Sequence, residues 1–184
     1  RIHSSQIIIL VLTLAAAAAL DEEYTAIAKK CCPAAAFQCC YDSIDFHLRL
    51  TCDAIPEGKL VEAIRCIQSE RHGENDSKWA GVDHLGCCDA FQNDFTDPTG
   101  ICYQSCKYAM NAPSLKSRAK LELIKQCREK NHLNKCFNQC RVKQNELTAQ
   151  GLPVPKYQDM ESDECARYKM KDDELYPVSQ IMKF

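Results

Sequence analysis

The sequence lacks the short motifs around which most enzyme active sites and zinc sites are built. No two cysteines have the C-x₂-C spacing of structural zinc sites, and adjacent cysteines in the three doublets point apart in regular backbone. There is no G-x-S-x-G turn for a serine nucleophile and no H-E-x-x-H pair for a catalytic metal. The sequence therefore predicts no catalytic residue, no metal site and no cofactor.

The chain has neither a large excess of charge of one sign nor a long apolar run. The formal net charge of −2 over 184 residues gives no sign of a surface for nucleic acid. Near the N-terminus, basic Arg1 precedes the apolar run 7–12, small residues continue to Ala19, and acidic Asp21 follows. This layout is typical of a secretory signal peptide, and the run is shorter than the roughly 18 residues of a membrane anchor. We therefore predict a signal peptide over 1–19 and no membrane span after its removal.

Cysteine, in contrast, is abundant, and every one of the 14 cysteines lies after the predicted signal peptide. Behind a secretory leader, an even number of cysteines predicts a disulfide framework whose connectivity the sequence does not give. With one Trp and six Phe the core is thin, and each bridge is expected to contribute roughly 2–4 kcal/mol to stability. The predicted disulfide cysteines are Cys31, Cys32, Cys39, Cys40, Cys52, Cys66, Cys87, Cys88, Cys102, Cys106, Cys127, Cys136, Cys140 and Cys165.

Helical periodicity is clearest in three places along the chain. Residues 57–70 place apolar side chains on one side and charged ones on the other, with Pro56 at the start. Cysteines at i and i+4 recur in 102–106 and 136–140, a spacing that lets one helix be linked twice to a neighbour. We therefore predict a mainly α, small disulfide-rich helical fold with no regular sheet.

Two further segments predict helices less directly. Ser114 is placed to cap a helix that runs to about Lys130, because Pro113 precedes it and apolar residues follow at i+4 steps. Residues 44–52 alternate between apolar and polar, as a strand would. No partner strand is evident, so a helix is the preferred interpretation there.

The order of the cysteines resembles that of the DB module, a small cysteine-rich extracellular domain best known from nematode secreted and cell-surface proteins. The resemblance covers residues 31–106 and implies an extracellular module without known catalytic residues, often found beside adhesion-type domains. The doublet Cys39-Cys40 and the cysteines of 127–140 depart from the pattern. The matching residues are Cys31-Cys32, Cys52, Cys66, Asp83-His84, Cys87-Cys88, Cys102 and Cys106.

This resemblance suggests a division of the chain after the signal peptide. We expect a cysteine-rich DB-like module over 24–106 and a helical, cysteine-containing extension over 107–147 packed on it. Glycine, proline and charge dominate 148–184, which predicts a polar tail that Cys165 tethers to the body. The sequon at Asn75 lies in a strongly polar stretch, which predicts glycosylation of an exposed loop.

A secreted phospholipase A2 is the sharpest enzymatic alternative, since such enzymes carry a C-C-x-x-H-D helix. Asp89-Ala90-Phe91-Gln92 follow one doublet here and Tyr41-Asp42-Ser43-Ile44 another, so the general base is missing. Asp83-His84 could form an oriented base, but adjacent side chains seldom point together. These residues favour a protein without catalytic activity.

Two functional hypotheses remain open at this point. The first is a structural or interaction module that binds an extracellular protein or matrix component. The second is a secreted effector such as a protease inhibitor, which would present a disulfide-flanked loop, with 69–82 and 91–101 as candidates. Lipid carriage would need a continuous apolar cavity, which the modest aliphatic content does not suggest.

Overall fold

A computed structural model describes residues 21–92, 94–160 and 165, and the predicted signal peptide lies outside these residues. The described part contains helices and no strand, which confirms the predicted small disulfide-rich helical fold. No helix within it is long and apolar enough to cross a membrane. The α-helices are α1 (Glu22–Cys31), α2 (Phe37–Asp45), α3 (Leu60–His72), α4 (Asp76–Trp79), α5 (Ile101–Asn111), α6 (Ser117–Lys125) and α7 (Asn134–Ala149); the 3-10 segments are Ala34–Ala36, Glu57–Lys59, Val82–Phe91 and Tyr157–Asp159.

The first half of the chain packs around its own apolar core. Helix α1 begins at the cap Asp21, whose side chain accepts a hydrogen bond from the Tyr24 amide at 3.1 Å. Acidic residues in its first turn and lysines in its last turn both complement the helix dipole. Helices α1, α2 and α3 meet around Ile44, Ile64 and Ile67, which are fully buried.

The second half has a separate core beneath the 3-10 segment Val82–Phe91. Helices α5 and α7 pack on this segment, and the rings of Phe91 and Phe137 stack with centroids 6.0 Å apart. Asp97 caps α5 by accepting a hydrogen bond from the Cys102 amide at 2.9 Å. Burial opposes ionisation of this carboxyl, but its hydrogen bonds outweigh burial and lower the Asp97 pKa.

Seven disulfides pair all fourteen cysteines, and they fall into two sets that match the two cores. No bridge joins the first set to the second. Two bridges cross the predicted boundary at residue 106, and the division into a 24–106 module and a 107–147 extension stays a prediction. The first set is Cys31–Cys66, Cys32–Cys40 and Cys39–Cys52; the second is Cys87–Cys140, Cys88–Cys106, Cys102–Cys127 and Cys136–Cys165.

The paired cysteines at i and i+4 do lie on helices, but each pair links its helix to two different segments. On α5, one cysteine bridges to Cys127 beyond α6 and the other to Cys88 in the 3-10 segment. On α7, one bridges to Cys165 and the other to Cys87. The double link to a single neighbour that this spacing allows is therefore not formed, and the bridges join several short helices into one framework.

The predicted helix over 44–52 is wrong beyond Asp45. The backbone at His47 turns into the left-handed region, with φ of 54°, and ends α2. The Leu48 amide then bonds back to the Ser43 carbonyl at 3.1 Å, a helix-ending pattern that closes the last turn. Two hydrogen bonds therefore stabilise the turn, because the Ser43 hydroxyl also donates to the Leu48 carbonyl.

The helix predicted from Ser114 to Lys130 is shorter than expected, since α6 spans Ser117–Lys125. Ser114 does not cap it, because its hydroxyl donates to the Ser43 carbonyl at 3.1 Å. The buried side of α6 is also not the predicted apolar stripe: Leu123 is 44% exposed, whereas Lys120 is fully buried. A polar contact between the two halves determines this orientation.

A buried hydrogen-bond network joins the two halves where no disulfide does. The Nζ of Lys120 donates to Oε1 of Gln68 at 2.7 Å, and Nε2 of Gln68 donates to the Asp76 carboxylate and the Ala80 carbonyl, both at 2.8 Å. The Ser117 amide donates to the same carboxylate at 3.1 Å. Because these groups satisfy one another, the junction can be both polar and buried.

Candidate functional site

An open groove of about 500 Å³ lies along the junction between the two halves. Helices α3 and α4 form one side, and α7 forms the other, with the 3-10 segment between them. Clefts between structural units are common binding places, because side chains from several elements converge there. The lining residues are Arg65, Ser77, Lys78, Asp83, His84, Gln144, Asn145, Thr148 and Val154.

Two of the charged groups that line the groove, Arg65 and Asp83, are paired with each other. Arg65 contacts Asp83 through two hydrogen bonds of 2.5 and 3.2 Å. The hydrogen bonds that Arg65 donates to Asp83 raise the Arg65 pKa, so the guanidinium keeps its charge. Asp83 therefore orients Arg65 and not the adjacent His84, and the oriented base considered from the sequence does not form.

His84 is buried and holds the floor of the groove in place. Its Nδ1 accepts a hydrogen bond from the Gly81 amide at 3.2 Å, and its Nε2 lies 3.0 Å from Oδ1 of Asn145. These partners require a neutral ring with the proton on Nε2. Burial lowers the His84 pKa, which favours the same neutral form. Both nitrogens are engaged, so His84 has no lone pair left to act as a base in the groove.

Trp79 stands beside the groove on a backbone that α7 holds fixed. Nη1 of Arg141 donates to the Trp79 carbonyl at 2.5 Å, and Nδ2 of Asn145 donates to the Lys78 carbonyl at 2.7 Å. Gly81 follows closely, and a Cβ there would lie 2.9 Å from the Ser77 carbonyl oxygen. The backbone is thus fixed on both sides of Trp79, while its side chain is 65% exposed.

One polar group in the groove lacks a partner. Gln144 is only 8% exposed, and its buried Oε1 accepts no hydrogen bond from any residue that the structure describes. A buried acceptor without a donor costs roughly 1–3 kcal/mol, so such groups are rare in folded proteins. A donor that entered the groove would satisfy this oxygen.

The other histidines among the described residues make structural contacts. Nε2 of His72 donates to the Ser114 carbonyl at 2.8 Å, and Nδ1 of His47 lies 3.0 Å from the Ser114 hydroxyl. His132 lies 4.0 Å from the buried Asp94 carboxylate. Within the described residues, no group of His, Cys, Asp or Glu has an arrangement that could hold a metal ion.

The segments singled out from the sequence differ in what they expose. Asn75 is exposed at the start of α4, and its Oδ1 accepts a hydrogen bond from Nζ of Lys78 at 2.9 Å. The rest of 69–82, predicted as a loop, includes the end of α3 and all of α4.

In 94–100 two hydrogen-bonded turns follow one another, and Phe95 on the first is 82% exposed. The only signal for Trp79 in the sequence is that it is the lone Trp of the chain and follows the polar stretch 69–78.

The fold and this surface define a class, a small helical protein cross-linked by disulfides with a groove at the junction of two cores. The chain belongs to the Caenorhabditis elegans Her-1 family, whose family model matches residues 20–169. It is similar to the crystal structure of C. elegans HER-1, with a TM-score of 0.62 and 29% sequence identity. The similarity covers 77% of this chain and 95% of that chain. No curated protein matches the sequence. Neither finding concerns the DB module, so that resemblance stays a prediction.

Proposed function

We propose that this chain is a secreted, disulfide-stabilised protein that binds another extracellular protein and catalyses no reaction. Membership of the Her-1 family and seven disulfides support an extracellular protein. The engaged nitrogens of His84 and the pairing of Asp83 with Arg65 support a role other than catalysis.

Trp79 is the observation that carries this proposal. Trp and Arg are enriched among the residues that dominate binding energy at protein interfaces. Trp79 exposes 65% of its surface on a fixed backbone, so little conformational entropy is lost when a partner covers it. The groove beside it offers the unpaired Oε1 of Gln144 to a donor of the partner.

The test is a comparison of Trp79→Ala with Phe46→Ala. Phe46 is a matched control, because it is 64% exposed and does not line the groove. Labelled, oxidised protein is titrated onto intact cells of the source organism, with and without prior protease treatment of those cells. We expect saturable, protease-sensitive binding that Trp79→Ala weakens about 30-fold or more, the effect of losing about 2 kcal/mol. Phe46→Ala should change the affinity less than about twofold.

Equal loss of binding in the two variants, or no saturable binding at all, would refute the proposed site. Far-ultraviolet circular dichroism of each variant shows whether the helices remain. A second variant, Gln144→Leu, removes the unpaired oxygen without exposing the core. If a partner donates to that oxygen, this variant also weakens binding, whereas the fold keeps its stability.

The protease-inhibitor alternative rests on the exposure of Phe95. The bridge Cys88–Cys106 and the bridge Cys102–Cys127 hold the segment that carries it. However, hydrogen bonds from Asp97 to Asp94 and from Gly100 to Asp97 fold 94–100 into consecutive turns. A protease binds an inhibitory loop as an extended strand, which these turns oppose. Incubation with a protease panel tests this alternative, because only an inhibitor would lose potency in a Phe95→Ala variant.

Three finer points accompany the proposal. Asn75 is exposed, which supports glycosylation, and a mass shift on glycosidase treatment that Asn75→Gln abolishes would test it. Cysteine order supports a relationship of residues 31–106 to the DB module, although Cys87 and Cys102 pair with cysteines beyond it. A separately expressed 24–106 fragment with native helicity would support the proposed division of the chain.

A further inference from the structure

The small net charge of the chain conceals two oppositely charged segments, an acidic segment 21–100 and a basic segment 101–147. Residues 21–100 contain seven Lys and Arg against fifteen Asp and Glu. Residues 101–147 contain ten Lys and Arg against only three Asp and Glu. Helices α5 and α6 and most of α7 lie in the second segment, so the positive charge is concentrated on these three helices and their connections, not on the whole of the half with the second core.

Four cations of the basic segment face solvent without an acidic partner among the residues that the structure describes. Lys116, Arg118, Lys125 and Lys130 are exposed, and none forms an ion pair with any residue that the structure describes. Lys120 does not contribute, because it is buried at the junction. Exposed cations without partners are free to neutralise a polyanion and to release the counterions condensed on it.

The backbone that carries these four cations is held in place by α6, a disulfide and a hydrogen bond. Arg118 and Lys125 are separated by two turns of α6, about 10 Å, and so project on the same side. The segment after α6 is held by the Cys102–Cys127 bridge and by a 2.6 Å hydrogen bond from Asn131 to the Ile124 carbonyl. The positions of the charges are therefore set before any ligand arrives.

The acidic residues among them do not neutralise this surface. Glu122 and Glu129 are the acids of 116–130, against five exposed or half-buried cations. Glu122 accepts a hydrogen bond from Nε2 of Gln126 at 3.1 Å. Arg128 is directed to the other side of the segment, where it donates to the Thr96 carbonyl at 2.7 Å.

We propose that Lys116, Arg118, Lys125 and Lys130 form a binding surface for a sulfated polysaccharide of the extracellular matrix. A linear polyanion can follow cations spread along a helix and the segment after it. The centre of a protein interface, in contrast, is poor in lysine. The negative potential that attracts basic segments to membranes belongs to the cytoplasmic leaflet, which a secreted protein does not meet.

The proposal rests on secretion, as does the proposed function, but it uses a different surface. The test is chromatography of the oxidised mature chain on immobilised heparin and on desulfated heparin, with elution by a salt gradient. One variant combines Lys116→Gln, Arg118→Gln, Lys125→Gln and Lys130→Gln. The matched control combines Lys29→Gln, Lys30→Gln, Arg49→Gln and Lys59→Gln, which removes four exposed charges from the acidic segment.

We expect retention on heparin well above 150 mM salt, and release from desulfated heparin at much lower salt. The first variant should lose about tenfold or more in affinity for soluble heparin and show a shallower dependence on salt, because fewer counterions are displaced. The control should bind as the unmodified chain does. If the first variant does not fold, Arg118→Gln with Lys125→Gln alone should give an intermediate loss.

Three results would overturn the inference. The first is elution below physiological salt, and the second is an equal loss in both variants, which would mean that only net charge matters. The third is equally tight binding to DNA or to vesicles with anionic lipid, which would mean a surface without preference for sulfated chains. Trp79→Ala should leave heparin binding unchanged, so failure of this inference and failure of the proposed protein contact are distinguishable.

Discussion

The buried Lys120 should make this protein more stable as the pH rises through the alkaline range. Its ammonium is buried at the junction between the two halves and donates to Gln68 at 2.7 Å. Burial lowers the Lys120 pKa from 10.5 to about 8, and the nearby Asp76 carboxylate only partly opposes this. In the unfolded chain the side chain regains the ordinary lysine pKa.

The sign of the effect follows from proton binding. Between pH 8 and 10.5 the unfolded chain holds a proton on Lys120 that the folded chain has released. Stability therefore rises with pH through this window, and the cost of the buried charge is fully present below it. Between pH 7 and 9 the expected gain is about 1 kcal/mol, from a limiting slope of about 1.4 kcal/mol per pH unit.

The assay is guanidinium unfolding with the disulfides intact, followed by far-ultraviolet circular dichroism at pH 7, 8 and 9. The midpoint should move to higher denaturant with pH, whereas in Lys120→Met it should stay constant. The variant also controls for other groups that titrate in this range. A flat or falling profile in the unmodified protein, or the same rise in Lys120→Met, would refute the reasoning about the buried ammonium.

Three other perturbations have expected outcomes. Gly81→Ala should lower stability by roughly 1–3 kcal/mol in thermal unfolding, because its Cβ would clash with the Ser77 backbone; Gly58→Ala, which meets open space, should have little effect. Asp97→Asn should make acid unfolding less steep below about pH 4, because the lowered Asp97 pKa gives stability that is lost as pH falls. Replacing both Cys136 and Cys165 by serine should cost about 2–4 kcal/mol in a denaturant titration.

Elements with a strong local pattern could be predicted from the sequence. Residues 57–70 combine apolar periodicity with Pro56 at the start, and the structure has a 3-10 turn and α3 there. The cysteines at i and i+4 also lie on helices. The local pattern gave the wrong buried side for α6, because a residue distant in the sequence determines which side of this helix is buried. Gln68 draws Lys120 into the junction, which rotates α6 away from its apolar stripe.

The candidate site could be predicted only in part. The sequence showed that Asp83-His84 has no nucleophile and that 69–78 is polar, but it did not show the groove. Its lining side chains are separated by up to about 90 positions, so only the tertiary fold brings them together. Trp79 is fixed by Arg141, a contact between residues 62 positions apart that no local rule predicts.

The measurement that tests the central claim most directly is disulfide mapping of protein recovered from the culture medium. The chain, with its predicted signal peptide, is expressed in secretory cells, and the unreduced protein is digested and analysed by mass spectrometry. The account predicts recovery from the medium, seven bridges without a free thiol, three confined to 31–66 and four confined to 87–165. Retention inside the cells, free cysteines, or a bridge between the two sets would contradict it.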